Sequence, residues 1–560
     1  MPDQADKTFD YIIVGAGSAG CVLADRLTED ADVSVLVLEA GKRDRNPFIH
    51  MPVGFYRLTG GHLTWGYETV PQKQANGRRI AFSQGKVMGG SSSINGMVYT
   101  RGNAADYDRW AIEEGCPGWS CAEVVPYFIR AEKNNRLLDA YHGTSGPLGV
   151  SDQTFTHPVT RLFAQAAQQF GIPFNHDFNG AVQEGCGFYQ INALNGRRSS
   201  TASAYLSRSR ARHNLSIRAT AHVSRIVIER GRAAGVEYTT GGARASKARA
   251  TREVIVCAGA FGSPRLLMLS GIGPARHLAD VGLDVLVDAP GLGENLQDHI
   301  DVDTIYRLKN ISSYDAYKMP LMKIRAGLEY LFFGGGPVSS NIVEGGAFWF
   351  SGAAPVTPDL QFHFLPGAGV EESTPGLAGG SGCTLNSYFV RPRSRGTVRL
   401  AGSDPRTPPL IDPNYWADPY DLERSLDGLL LSREIMAQPV LRDFIDGEQL
   451  PGGRIQSREE LIDFLRAYGR TAYHPVGTCR MGEDDLAVVD CQLRVRGVEG
   501  LRVVDASIMP SLVSSNTNAA TIMIAERASD LIKRAGSSEP VMRAAARLPG
   551  GTPIREQTPS

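Results

Sequence analysis

"FDYIIVGAGSAGCVLADRLTEDADVSVLVLEAG", residues 9–41, decides the fold. Tyr11-Ile12-Ile13-Val14 is a short apolar run suited to a buried parallel strand. Gly15-Ala16-Gly17-Ser18-Ala19-Gly20 follows at once, Cys21 to Leu27 reads as a helix, and Val33 to Leu38 as a second strand ending on Glu39 and Gly41. Gly15 permits the tight strand-to-helix turn, Gly17 lets backbone approach a pyrophosphate, and Gly20 lets the helix lie close to the strand. The helix start offers free N–H groups and a positive dipole to phosphates. Glu39 stands where a carboxylate accepts hydrogen bonds from a ribose diol. A lone glycine turn says little; strand, turn, helix, strand and acid in this order mark a dinucleotide site. The acid disfavours a 2′-phosphate and therefore NADP, and this segment leaves NAD and FAD open.

The totals agree with a large globular protein and argue against several classes. A chain of 560 residues, 42% hydrophobic and 21% charged, implies a substantial core in more than one domain or one large composite domain. A formal net charge of −1 provides no field for nucleic acid or an anionic surface over the whole chain. The basic run Arg391–Arg395 reads as solvated surface. The eight cysteines include no CxxC pair, which argues against a zinc ribbon, an iron–sulfur site or a disulfide scaffold. Reduced thiols, no opening signal-like segment and no apolar stretch of about 18 residues point to the cytoplasm, with peripheral membrane attachment left open. No internal repeat is evident, and the sequence carries no mark of an oligomeric state.

Four further blocks are rich in glycine or strand–turn–helix patterning. "GKVMGGSSSINGMVYTRG" (85–102) brings N–H and hydroxyl donors on a flexible loop, although alone it reads as an ordinary connection. "EVIVCAGAFGSPRLLMLSGIGP" (253–274) runs from a strand at Glu253–Cys257 through a turn to a helix from Pro264 to Ser270. "PGLGENLQDH" spans 290–299. "LRVVDASIMPSLVSSNTNAATIMIAERASDLI" (501–532) gives a short strand ending on Asp505 and a helix from Asn518 to Ile532.

Together with "YHPVGTCRMG" these motifs resemble the glucose–methanol–choline (GMC) family of flavin oxidoreductases, from Phe9 to about Lys533. Within the family the chain is similar to bacterial choline dehydrogenase-like alcohol dehydrogenases, and "HMPVGFYRLTGG", "SSNIVEGGAFWF", "PDLQFHFLPGAG" and "TLNSYFVRPRSRGTVRL" resemble FAD-dependent L-sorbose dehydrogenases. The resemblance implies an α/β fold, with a Rossmann-like FAD-binding domain (1–155, 196–310, 470–535) interleaved with a substrate domain (156–195, 311–469) built on an antiparallel sheet. A mobile or surface-draped tail would follow over 536–560.

It also implies FAD contacts at Gly15, Gly17, Ser18, Gly20, Glu39, Gly89, Gly90, Ser91, Asn95, Met97, Val223, Asp505, Ala506, Asn516 and Thr517. Some choline-oxidising relatives attach FAD through a histidine in the second glycine block. Here Ile94 stands in that stretch and has no nucleophile, so FAD should be non-covalent. The expected partners are a small alcohol or sugar and a quinone or dye-like acceptor, with no resident metal. L-sorbose is the sharpest substrate reading. An aliphatic alcohol, polyethylene glycol or choline, or a peroxide-forming oxidase reaction, stands as the alternative.

The resemblance assigns His474 and Asn518 as the catalytic pair. An alcohol must lose its O–H proton and its α-hydrogen as hydride, and imidazole suits the first task near neutral pH. An amide can stabilise the developing alkoxide without competing for the proton. Pro475 biases His474 toward extended backbone. The second His-Pro pair, His157-Pro158, lacks such surroundings. His299 is expected to be structural, and His363 to line the cavity or pack. Cys479 and Met481 should pack, while Trp65, Glu344 and Trp349 are candidates for the pocket border.

Overall fold

The computed structural model describes residues 7–241, 245–353, 355–370 and 375–536. The expected tail lies outside these residues apart from its first position.

Two open sheets organise the chain. The first runs in the order Leu215–Arg218, Val35–Leu38, Lys7–Val14, Ser246–Val256, Arg232–Thr240 and Ala221–Glu229, with Leu501–Val503 also paired to Ser246–Val256. Its central strands are parallel, and Val14 sits opposite both Leu38 and Val256, which in turn faces Val503. Their carboxyl ends therefore finish in line. In a doubly wound sheet this is the edge outside which ligands bind. The strand cores Ile12, Ile13, Leu36, Val37, Val254 and Ile255 are fully buried, as the unbroken apolar runs require of strands covered on both faces.

The second sheet runs Ile445–Leu450, Ile300–Leu308, Ser381–Phe389, Leu360–Leu365, Gly345–Trp349, Gly185–Phe188, and all its pairs are antiparallel. Gly185–Phe188 is separated from its other strands by the stretch that supplies Leu215–Arg218 through Ser246–Val256 to the first sheet, so the two layers are interleaved in sequence. The helix Asn518–Gly536 packs along the helix Ser18–Leu27, returning the end of the described chain to its beginning.

One element differs from expectation. The helix expected from Pro264 begins at Gly259 and carries Pro264 inside it. A proline there cannot bond the carbonyl one turn back. That carbonyl, on Ala260, instead accepts from Thr478 Oγ1 at 2.6 Å, so a distant side chain replaces the missing backbone donor.

Candidate active site

A cavity of about 290 Å³ opens at the aligned strand ends, running between the two sheets. At one end Gly15, Gly17, Ser18, Glu39, Gly90, Ser91, Val223, Asp505, Ala506, Thr517 and Asn518 line it; toward the other Asn95, Met97, His474 and Asn516 do. Gly20 and Gly89, also expected as contacts, lie behind this lining. A Cβ on Gly20 would stand 1.9 Å from the Gly15 carbonyl oxygen, so the residue permits helix–turn packing rather than ligand contact. Gly89 donates its N–H to the Ala16 carbonyl at 2.7 Å, tying the second glycine block to the first. The two blocks meet so closely that a Cβ on Gly90 would lie 2.7 Å from the Gly17 Cα.

No side chain caps the helix starting at Ser18, and its first turn carries no acid. Its leading N–H groups and positive dipole thus face the cavity. Glu39 is buried, and its carboxylate accepts from the Ala16 N–H at 2.8 Å and the Gly41 N–H at 2.6 Å, so besides lining the cavity it braces the glycine loop. Burial pushes this carboxyl up. Asp505 accepts from the Gly259 N–H, Ser263 Oγ and the Ser507 N–H, fastening the late segment to the helix Gly259–Leu269. At the Val223 end, Arg265 presents a buried Nε with no partner among the described residues. The uncapped helix start, the side-chain-free approach at Gly17 and Gly90 and this spare donor together fit a long, anionic dinucleotide such as FAD.

The other end is built around His474. Its segment is fastened to the buried carboxylate of Asp298, which accepts from the His474 N–H at 2.7 Å, from Thr471 Oγ1 at 2.6 Å and from the Tyr415 hydroxyl. Tyr473 carries a φ of +64°, a conformation that such anchoring holds in place. The His474 ring is held on both sides. Its Nδ1 lies 3.0 Å from His299 Nδ1, and its Nε2 lies 3.1 Å from Asn516 Nδ2.

These contacts fix the protons. His299 Nε2 lies 3.1 Å from the Val390 carbonyl, which only accepts, so His299 carries its proton there and its Nδ1 is an acceptor. His474 must then donate from Nδ1, which leaves the lone pair on Nε2, on the Asn516 side. The Asn516 amide agrees. Its Oδ1 accepts from Thr100 Oγ1 at 3.0 Å and Gln361 Nε2 at 3.1 Å, which turns the NH₂ toward His474. Burial, followed by the neighbouring His299, holds His474 well below the ordinary histidine range.

The amide in contact with the His474 ring is thus that of Asn516, and not that of the expected partner Asn518. Asn518 is the first residue of its helix, where its Oδ1 accepts from Ser18 Oγ at 2.8 Å. It couples the two helix starts rather than touching His474. Of the remaining candidates, His363 and Trp65 line the cavity. Glu344 does not: its carboxylate is buried and accepts from the His157 N–H, Thr160, Ser340 and Tyr314. Trp349 packs against the hydrophobic core of the second sheet. His157 caps a helix by accepting from the Val159 N–H, and Cys479 and Met481 are fully buried. Sequence reasoning missed Thr100, Gln361 and Arg198. Buried Arg198 donates to the Ile49, Ser92 and Asn95 carbonyls and to Asn95 Oδ1, fixing the second glycine block.

The chain belongs to the GMC oxidoreductase family, whose N-terminal part matches residues 9–301 and whose C-terminal part matches 392–525. It is 43% identical to an "Alcohol dehydrogenase [acceptor]" of Pseudomonas putida over 94% of this chain and 96% of that one. It is 45% identical to an "Oxygen-dependent choline dehydrogenase" of Sinorhizobium fredii over 93% and 95%. A formate oxidase from Aspergillus oryzae, solved in a study of FAD modification, superposes with a TM-score of 0.89 at 27% identity, over 95% of this chain and 99% of that one. The chain is thus an FAD-dependent oxidoreductase acting on CH–OH donors, of the alcohol and choline dehydrogenase type.

Proposed function

We propose that the protein is a dehydrogenase of primary alcohols, polyols or sugars, with His474 as the base, Asn516 as its helper and a quinone or dye-like electron acceptor. The observation that carries this reading is the hydrogen-bond chain from Val390 through His299 to His474, which leaves an unprotonated Nε2 beside an amide donor in the cavity. A substrate hydroxyl placed there gives its proton to Nε2, while the Asn516 N–H stabilises the alkoxide that forms. Bound FAD supplies the hydride acceptor. Gly15, Gly17, Ser18, Glu39, Gly90, Ser91, Asn95, Met97, Val223, Asp505, Ala506 and Thr517 would hold it. In this reading the first sheet serves the cofactor and the second, which includes Ile300–Leu308 and Arg470–Thr471, serves the substrate.

An Arg470 guanidinium shared by two carboxylates borders the substrate end. Asp301, which lines it, lies 3.2 Å from the Arg470 guanidinium, and the same guanidinium reaches Asp303 at 3.3 Å. L-sorbose, oxidised to L-sorbosone, remains the specific substrate we propose. An aliphatic alcohol, polyethylene glycol or choline is the second reading, supported by relatives named as alcohol and choline dehydrogenases. A panel of L-sorbose, polyols, aliphatic alcohols and choline, assayed with a dye acceptor beside a peroxide assay, tests it. Turnover of choline alone, or peroxide at the dye rate, would overturn it.

A further inference from the structure

The helix Pro320–Phe333 is built the wrong way round for a helix resting on its own protein. Its buried residue is Ala326, flanked by half-buried Met322 and Tyr330 one turn away on either side. At about 100° per residue, Leu331, Ile324, Leu328, Leu321 and Phe332 fall in one arc of about 100° centred opposite Ala326. These five are 74%, 59%, 49%, 77% and 73% exposed. An exposed stripe of large apolar residues on one helix marks a surface that something else covers.

We propose that this helix docks in the plane of an anionic lipid bilayer, apolar arc down. The charge of its surroundings suits that partner. Lys323 and Arg325 flank the arc, and exposed Arg197 lies beside Tyr330, whose hydroxyl donates to the Gly196 carbonyl at 3.0 Å; Glu329 is the one exposed acid within the helix. An apolar arc bordered by Lys and Arg is the pattern of helices lying at the headgroup level. Area argues against a second copy as the occupant. The arc offers on the order of 500 Å², below the roughly 800 Å² per partner of a standard protein interface. Among the described residues no helix is long and apolar enough to cross a membrane, so contact is by lying on the surface. The surface also has a place relative to the cavity. After the helix, Pro337–Ser339 packs on Pro52–Arg57, and Phe55 and Val343 line the cavity.

The test is sedimentation of the full-length flavoprotein with vesicles of phosphatidylglycerol and phosphatidylcholine, and with phosphatidylcholine alone. The wild type should pellet with the anionic vesicles. The double variant Leu321→Asp/Leu328→Asp should bind them at least about tenfold more weakly, with unchanged flavin spectrum and melting temperature because both side chains are exposed. Lys323→Glu/Arg325→Glu should lose mainly the anionic preference. A wild type that stays in the supernatant with both vesicles, or an apolar variant that pellets equally, overturns the proposal. So does a dimer dissolved by the apolar variant without any vesicle binding, which would assign the arc to a second copy of the chain.

Discussion

The Nδ1 atoms of His299 and His474 lie 3.0 Å apart, and the Val390 carbonyl behind His299 decides which of them carries the proton. His299 is not among the residues lining the cavity, yet it selects the tautomer in which His474 keeps a lone pair on Nε2, as the proposed base requires. His474→Ala should slow flavin reduction by about 10²–10⁴-fold with FAD retained. His299→Phe removes the acceptor for Nδ1–H and frees His474 to place its proton on Nε2, so it should also lower kcat/KM while leaving flavin content unchanged. Anaerobic stopped-flow reduction measures both. An unchanged reduction rate in His474→Ala would remove it as the base.

Asn516 and Asn518 separate cleanly by substitution. Asn516→Ala deletes the donor beside Nε2 and should reduce the rate of flavin reduction by about 10²-fold or more. Asn518→Ala breaks the bond to Ser18 Oγ and should weaken FAD retention, leaving reduction of the bound flavin near the wild-type rate. Fluorescence of released flavin and stopped-flow reduction read the two effects independently. The reverse pattern would return the helper role to Asn518.

That exchange shows what the sequence could and could not reveal. The dinucleotide loop was legible because strand, turn and helix are neighbours in the chain, and glycine spacing reports local geometry. "NTN" holds two asparagines two residues apart at a helix start, and only the fold, through His474 some forty positions earlier, shows which amide meets an imidazole. The early start of the helix at Gly259 was hidden for the same reason, since the donor that replaces the lost backbone bond is Thr478. Arg198 and Gln361 carried no motif at all; burial and direction of a side chain gave them their parts, and those are tertiary facts.

The acid limb of activity should lie below the ordinary histidine range. Burial disfavours the imidazolium form of His474, so the neutral base persists as the pH falls through about 6.5. A kcat/KM profile with its acidic inflection at or above 6.5 would contradict this environment.

The same burial sets a stability profile. His299 and His363 are lowered to about 3, both by desolvation first. Below pH 6.5 the unfolded chain binds protons that the native protein refuses, so stability falls with pH. Each residue contributes about 2 kcal/mol of loss by pH 5. His142 acts in the opposite direction. Held between Glu132 and Asp177, it is raised to about 9 despite burial, so its stabilisation is complete below pH 6.5 and is lost as the pH rises through 9. Melting temperatures across pH should therefore fall on both sides of neutrality, and His142→Gln should flatten the alkaline side alone.

Flavin attachment is the last expectation. Ile94 lines the cavity with a saturated side chain, so acid precipitation should leave flavin in the supernatant and not on the pellet. Glu39→Ala removes the acceptor for the Ala16 and Gly41 N–H groups and leaves both loops to find other partners. Losing a buried bridge of this kind costs about 1–3 kcal/mol, so FAD should dissociate about ten- to a hundredfold more readily. Glu39→Gln retains one acceptor oxygen and should fall between. Equal FAD retention in Glu39→Ala and the wild type would mean that the loop is held by the sheet alone.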